Sequence, residues 1–351
     1  MRERGLKAGS LRRKLKKLLA ADRSFRRGRI IGSMCTTPHP VAQDVFSRYL
    51  EKNVGDPGLL PGTIAREAEA IQELGALLSH PAAFGYIVSG GTEANILALW
   101  AAKERAKKNG REVIVSEAAH FSFDKAARLL DLELIKVPLT GDYTIDTRAA
   151  RARITSRTIA LIGIAGSTPL GTVDPVTELA ALASEHDLYL HVDAAFGGFV
   201  IPFARELGRR VAAFDFSIPK VDSITIDPHK MGMSVIPSGG ILFRDRKLAE
   251  SIKVPVPYLA GGETALATIV GTRSGASVLA VWALIRHLGR EGYRATVRQC
   301  LELTDYLRDR IRAVPSLTLL TDPVLNIVGV ASTLVPPEEL ARRLRAYGWA
   351  V

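Results

Sequence analysis

The chain has 351 residues, of which 47% are apolar and 24% charged, a balance that supports a sizeable globular core. No apolar run approaches the roughly 20 residues that span a bilayer, and the charged N-terminus has no apolar stretch behind it to make a secretory signal. The net charge of +11 is concentrated: residues 1–29 hold twelve Lys/Arg against Glu3 and Asp22, and the rest is nearly neutral. Within that basic leader Leu11, Leu15, Leu18 and Leu19 share a helical face, ringed by Arg12, Arg13, Lys14, Lys16 and Lys17. A helix that rests its leucines on the body or on a partner subunit explains this pattern; contact with anionic membrane or nucleic acid is the alternative. Cys35 and Cys300 stand in neither a metal nor a redox spacing, which fits a reduced, cytoplasmic setting.

Ser33 to Pro40 reads as an irregular connector, and a helix is expected over Val41–Leu50. Asn53 to Gly62 carries three glycines and two prolines, so it is a loop; Leu59 and Leu60 inside it fit a pocket mouth. Thr63 is placed as the cap of a helix reaching Ser79. Phe84–Val88 is a buried strand that runs into Ser89-Gly90-Gly91-Thr92 and a helix continuing to about Lys108. Strand, Gly-Gly, Thr, helix outlines an anion site, because bare backbone N–H groups and the helix N-terminus both attract a phosphate. Further strands are expected near Glu112–Ser116, Leu132–Pro138, Ile159–Ile164, Leu188–Val192, Ser223–Ile226 and Gly240–Phe243, with helices between several of them. That alternation predicts an α/β fold with a mostly parallel sheet, whose ligands sit at the carboxyl ends of the strands.

Five strand exits carry polar groups: Gly91-Thr92, His120, Ser167-Thr168, Asp193 and His229-Lys230. Lys230 comes after a short apolar strand, where desolvation favours a neutral, nucleophilic amine able to form a Schiff base with an aldehyde. Asp193 is followed by Ala194 and Ala195, which leave room for a flat ring whose pyridinium N–H the carboxylate can hold. A Schiff-base lysine, an acid for a ring nitrogen and a phosphate cradle together point to pyridoxal 5'-phosphate. Beyond Arg246 come Val254-Pro-Val-Pro-Tyr258, a Gly-Gly loop at 261–262, and Gly271-Thr-Arg-Ser-Gly275 opening a helix that Gly289 ends. A second helix reaches Ile311; strands near Leu317–Leu320 and Asn326–Ala331 and a helix over Glu338–Tyr347 complete the chain.

With these residues in view, the chain resembles the group II amino-acid decarboxylases, and within them the archaeal aspartate/tyrosine decarboxylases. The matching stretches are Asn53–Thr63, Ser89–Ile96, His120, Gly171–Val176, His191–Phe199, Asp227–Gly232 and Gly271–Gly275. The resemblance implies a fold-type I enzyme. Its segments would be a basic helix and connector over 1–48, a large coenzyme-binding domain over 49–290, and a small α+β domain over 291–351 that stops short of the family's usual length. It implies Lys230 as the residue carrying the coenzyme, His120 stacked on the ring, Asp193 on the pyridine nitrogen and Ala195 beneath it. Gly91, Thr92 and His229 would hold the phosphate, with Thr168 beside them. It further implies a homodimer with shared active sites, in which Thr272 and Arg273 reach the partner's coenzyme. Candidate proton donors are Tyr258, against an ordinary structural tyrosine, and His120.

The implied reaction is decarboxylation of L-aspartate to β-alanine, for coenzyme A, or of L-tyrosine to tyramine, for methanofuran. Arg273 or Arg48 suits an aspartate side chain, and Leu59 and Leu60 suit a tyrosine. Another lyase on the same scaffold is the alternative, and a nucleic-acid or membrane-binding role for the leader a remote one; neither a nucleic-acid partner nor a membrane span is expected.

Overall fold

The structure is a computed structural model that describes residues 3–106, 110–260 and 264–351. The Gly-Gly loop at 261–262 and the expected helix end at Lys108 lie outside the described residues. The chain groups into two units, one of residues 34–334 and one that joins the segment up to residue 33 to residues 335–351. This grouping does not follow the division at 48 and 290 read from the sequence.

The smaller unit contains α1 (Ala8–Leu18), which has no acidic residue in its first turn and exposes Leu11, Leu15 and Leu18. Its two segments meet where Ile30 pairs with Ala350: the N–H groups of Ile31 and Gly32 both donate to the Ala350 carbonyl, at 2.9 and 3.0 Å.

The larger unit opens with α2 (Pro40–Arg48) and α3 (Pro61–Leu77). Thr63 does not cap α3. Pro61 takes the first helical turn, where a missing N–H costs nothing, and Thr63 lies buried inside the helix. Next in the chain are β1 (Phe84–Val88), α4 (Gly91–Arg105), β2 (Glu112–Ser116), α5 (Ser122–Leu130), β3 (Glu133–Val137), α6 (Thr147–Ala152), β4 (Thr158–Ile164), α7 (Val176–Glu185) and β5 (Tyr189–Asp193). After them come α8 (Ile201–Glu206), β6 (Ser223–Ile226), β7 (Gly239–Phe243) and α9 (Arg246–Glu250).

Seven strands form one sheet in the order β1-β7-β6-β5-β4-β2-β3. β2, β3, β4, β5 and β6 pair in parallel, and only β7 runs against its neighbours β1 and β6. Strands such as Glu-Val-Ile-Val-Ser and Thr-Ile-Ala-Leu-Ile-Gly-Ile are buried along their whole length, as expected of a parallel sheet covered on both faces. Val113, Val115, Ile162 and Phe243 pack on the side of α4 and α5; Ile114, Leu161, Leu190 and Ile224 pack on the side of α3 and α7. The period of two in the strands therefore builds two cores, one on each face.

Beyond α9 the Pro-bracketed stretch forms β8 (Val254–Val256), paired antiparallel with β9 (Thr264–Leu266). The sequence does not foretell this ribbon, because two prolines in five residues argue against a strand. α10 (Gly275–Arg312) breaks at Gly289, which adopts φ 56° and ψ −171°. That left-handed φ is open to glycine at little cost and explains why the apolar pattern stops and restarts there. β10 (Leu317–Leu319) and β11 (Val330–Ser332) make a small antiparallel pair, and α11 (Pro337–Ala346) belongs to the smaller unit.

Candidate active site

The carboxyl ends of β1, β2, β4, β5 and β6 open on one cavity of about 360 Å³. Each strand delivers the residues at its exit: Ser89 to Thr92 after β1, Ala118 and His120 after β2, Gly166 and Thr168 after β4, Asp193, Ala195 and Phe196 at β5, and Asp227, His229 and Lys230 after β6. The structure thus brings Gly91, Thr92, His120, Thr168, Asp193, Ala195, His229 and Lys230 around a single space.

The glycines are set by close approach. A Cβ on Gly91 would stand 2.8 Å from Asp227 Oδ2, and one on Gly239 would stand 2.5 Å from the Gly90 backbone. β7 therefore presses against the Gly-Gly turn, and no larger residue fits at Gly239. Glu93, buried in the first turn of α4, accepts from the Ser89 N–H at 2.8 Å and the Val270 N–H at 3.3 Å, tying the turn to the loop before α10.

Lys230 Nζ lies 3.2 Å from Asp227 Oδ2, and His229 Nε2 lies 3.8 Å from the same oxygen. The lysine is thus met by a carboxylate, which the expectation of apolar neighbours did not include. Burial pushes the Asp227 carboxyl above its ordinary range, against the pull of Lys230 and His229, and its Oδ1 is buried without a partner. The Lys230 carbonyl accepts from Thr36 Oγ1 at 2.8 Å, so the connector before α2 is a strap under the lysine turn.

Asp193 ends β5 with both oxygens engaged: Oδ1 accepts from the Ala195 N–H at 3.0 Å and Oδ2 from Asn95 Nδ2 at 2.9 Å. His191, two residues earlier on the same face, is wholly buried between Asn95 and Ser223. The register of β5 on β6 places His191 beside Ser223 and Asp193 beside Thr225. His120 stands against Phe121, ring centroids 4.0 Å apart, with its Nδ1 3.0 Å from Ser122 Oγ. Burial lowers its proton affinity, with Lys230 adding to the effect and Asp193 opposing it.

Burial drives the His191 pKa down to about 4, against about 6.5 for an unfolded histidine. The unfolded chain then binds more protons between those values, so stability is lost as pH falls from about 6.5 toward about 4, by about 3 kcal/mol in total. Urea unfolding across this window should show a steeper acid loss in the native protein than in His191→Gln; equal slopes refute the assignment.

Four residues placed in the site by the sequence are not on the cavity wall. Tyr258 is 83% exposed and Leu59 66%, the latter beside a separate apolar cavity with Leu60 and Trp282. Thr272 is exposed against Gly55, where the loops at 52–55 and 271–275 join. Arg273 requires a correction: its guanidinium turns inward and is buried on Glu67 and the Ile87 carbonyl, so its charge is already matched. Arg48 is likewise paired, 2.7 Å from Asp44 and well exposed. Sequence reasoning missed Asn95, Ser122, Thr225 and Asp227. For Thr225 a signal exists, the alternation of polar residues, His191/Asp193 and Ser223/Thr225, in strands otherwise apolar throughout; Asn95 and Ser122 lie on helices and carry none.

A family model described as the pyridoxal-dependent decarboxylase conserved domain matches residues 35–331. The chain belongs to the pyridoxal-dependent decarboxylase family. Across 349 residues this decarboxylase is 49% identical to the L-aspartate decarboxylase of Thermococcus kodakarensis, covering 99% of this chain and 90% of that one. It is 48% identical over 328 residues to a probable L-tyrosine/L-aspartate decarboxylase of Methanothermobacter thermautotrophicus, covering 93% and 90%. Among solved structures, the sphingosine-1-phosphate lyase of Burkholderia pseudomallei superposes with a TM-score of 0.93 at 29% identity, over all of this chain and 84% of the other. The glutamate decarboxylase of Lactobacillus brevis, at 23% identity and a TM-score of 0.89, shares the decarboxylase's fold. The mostly parallel sheet expected for a fold-type I enzyme is therefore present.

The cavity fits pyridoxal 5'-phosphate on three counts. A glycine turn at the N-terminus of the 15-residue α4 leaves backbone N–H groups bare for an anion. A lysine and an aspartate reach the same space. The buried, unpartnered Asp227 Oδ1 belongs to a residue of the same wall and is an unused polar group there.

Proposed function

We propose that this decarboxylase acts in the cytoplasm as a homodimer, removing the α-carboxylate of L-aspartate to give β-alanine, a coenzyme A precursor, with pyridoxal 5'-phosphate as coenzyme. The observation that carries the reading is the convergence of Lys230 and Asp193 on one cavity floored by the Gly90-Gly91 turn. The coenzyme supplies, when bound, an aldehyde for amines and a cationic ring that accepts the electrons left behind by CO₂.

The chain's own groups then have distinct tasks. Lys230 Nζ, the amine that reaches the cavity, would hold the coenzyme through its aldehyde. Asp193 holds the ring nitrogen's proton with a carboxylate already oriented by Ala195 and Asn95. Ala195 and His120, which line the same cavity, would pack against the flat ring. Gly91, Thr92, Thr168 and His229 position the phosphate end. Tyr258 and Thr272, exposed and off the cavity wall in their own chain, serve the partner's site, where Tyr258 closes over the substrate and returns a proton to Cα.

L-Aspartate is preferred because relatives such as those of Thermococcus kodakarensis and Methanothermobacter thermautotrophicus carry that name, alone or with L-tyrosine. Coenzyme-loaded protein should release CO₂ from L-aspartate at least about tenfold faster than from L-tyrosine or L-glutamate; a reversed order moves the assignment to the other acid. A second reading, carbon–carbon cleavage of a different amine substrate, is favoured by the close superposition on the lyase. An aldehyde product without CO₂ would establish it.

A further inference from the structure

From the cavity wall inward runs a hydrogen-bond chain centred on Asn95, which lines the cavity and is 1% exposed. Its Nδ2 lies 2.9 Å from Asp193 Oδ2 and 2.9 Å from Ser122 Oγ. Its Oδ1 accepts from Thr225 Oγ1 at 2.7 Å and stands 3.1 Å from His191 Nε2. A carboxylate only accepts, so the amide must turn its NH₂ toward Asp193, and that choice sets the direction of every other bond. His191 carries its proton on Nε2 and donates to Oδ1. On the other side Asn95 donates to the Ser122 hydroxyl, which lies 3.0 Å from His120 Nδ1. The Ser122 backbone N–H, which can only donate, points at the same Nδ1 at 3.3 Å. His120 Nδ1 is therefore an acceptor, and the proton of the neutral ring sits on Nε2.

We infer that Asn95 is a positioning residue for the reaction: one amide orients the Asp193 carboxylate and, through Ser122, presents His120 to the cavity as an Nε2–H donor. Its Cβ belongs to α4, which the glycine turn opens, so three parts of the site share one rigid support. The charged groups facing His120 are Asp193, Lys230, Asp227 and Lys125, and none of them changes which nitrogen the backbone N–H meets. An aspartate at 95 keeps the shape but reverses the direction. Two carboxyl groups then face each other and must share a proton, and the Ser122 hydroxyl turns from His120 to the new acceptor.

This role for Asn95 rests on pyridoxal 5'-phosphate occupying the cavity, and two measurements separate the two ideas. Protein labelled with ¹⁵N-histidine, with and without pyridoxal 5'-phosphate, should show His120 with Nδ1 bare and Nε2 protonated, the signal being assigned by its loss in His120→Gln. A protonated Nδ1 overturns the inference whatever the coenzyme does. In Asn95→Asp the pH titration of the bound coenzyme's absorption should move by about one pH unit or more, with kcat down about 100-fold and KM within about threefold. A native titration and native kcat in that variant also overturn it. If Asn95→Asp does not fold, Ser122→Ala carries the same test: kcat falls about tenfold with the absorption intact, and an unchanged kcat overturns the chain's role. Absence of any coenzyme absorption in the native protein would instead refute coenzyme binding and leave the tautomer result standing.

Discussion

Lys230→Ala should abolish the near-visible absorption of covalently held pyridoxal 5'-phosphate and reduce turnover by about 10³-fold or more, the scale on which loss of a nucleophile is felt in other covalent enzymes. Lys230 is the only lysine on the cavity wall among the described residues, and its carbonyl is anchored by Thr36 while its amine meets Asp227. No other amine can substitute from the same wall. The variant should still bind the phosphate end of the coenzyme, since Gly91, Thr92 and His229, proposed to hold it, are untouched. Dialysis should therefore remove the coenzyme from Lys230→Ala far faster than from the native protein. A variant that keeps the absorption after dialysis, or keeps turnover, removes Lys230 from the reaction.

The second large effect concerns stability. Glu67→Ala should lower the free energy of unfolding by about 3–5 kcal/mol, the range for breaking a buried ion pair. Glu67 and Arg273 are each less than a tenth exposed, so neither charge has water to fall back on. Glu67 also accepts from the Ile87 N–H at 2.9 Å, while Arg273 donates to the Ile87 carbonyl. Removing the carboxylate leaves a buried guanidinium and a backbone donor unmatched at once. Replacing both partners with apolar residues should recover only part of the loss, because the Ile87 N–H and carbonyl are then both left without these partners. Denaturant midpoints of the single and double variants decide it; a loss below about 1 kcal/mol for Glu67→Ala would mean the pair is solvated.

The larger elements were legible because parallel strands announce themselves as unbroken apolar runs. β1, β2 and β6 fall where the sequence places them, and the other strands of the large sheet shift by a residue at their ends. The cavity was legible for a related reason: a sheet of this kind exposes its carboxyl ends, so polar residues just after apolar runs converge. The features that stayed hidden depend on partners far away in sequence. Arg273 looked like a free cation because Glu67, the acid that captures it, is 206 positions distant. Yet Ile64, Glu67, Ile71 and Leu74 share one face of α3, and an acid inside an apolar stripe foretells a buried base. Asn95 and Ser122 were passed over because an amide and a hydroxyl on helices do not signal chemistry until their neighbours are known. The β8–β9 ribbon was hidden by its prolines.

The position of β1 in the sheet bears on how the protein matures. β1 emerges early from the ribosome, but its sheet partner is β7, roughly 150 residues later. Until then the strand that carries the Gly-Gly turn has no ladder, and the anion cradle has no wall behind it. A coenzyme that needs this cradle would load after that late, long-range closure, and by binding the finished form it would draw the chain toward it. Supply of the coenzyme during synthesis should therefore govern how much protein reaches its native state, as well as how much of it is active.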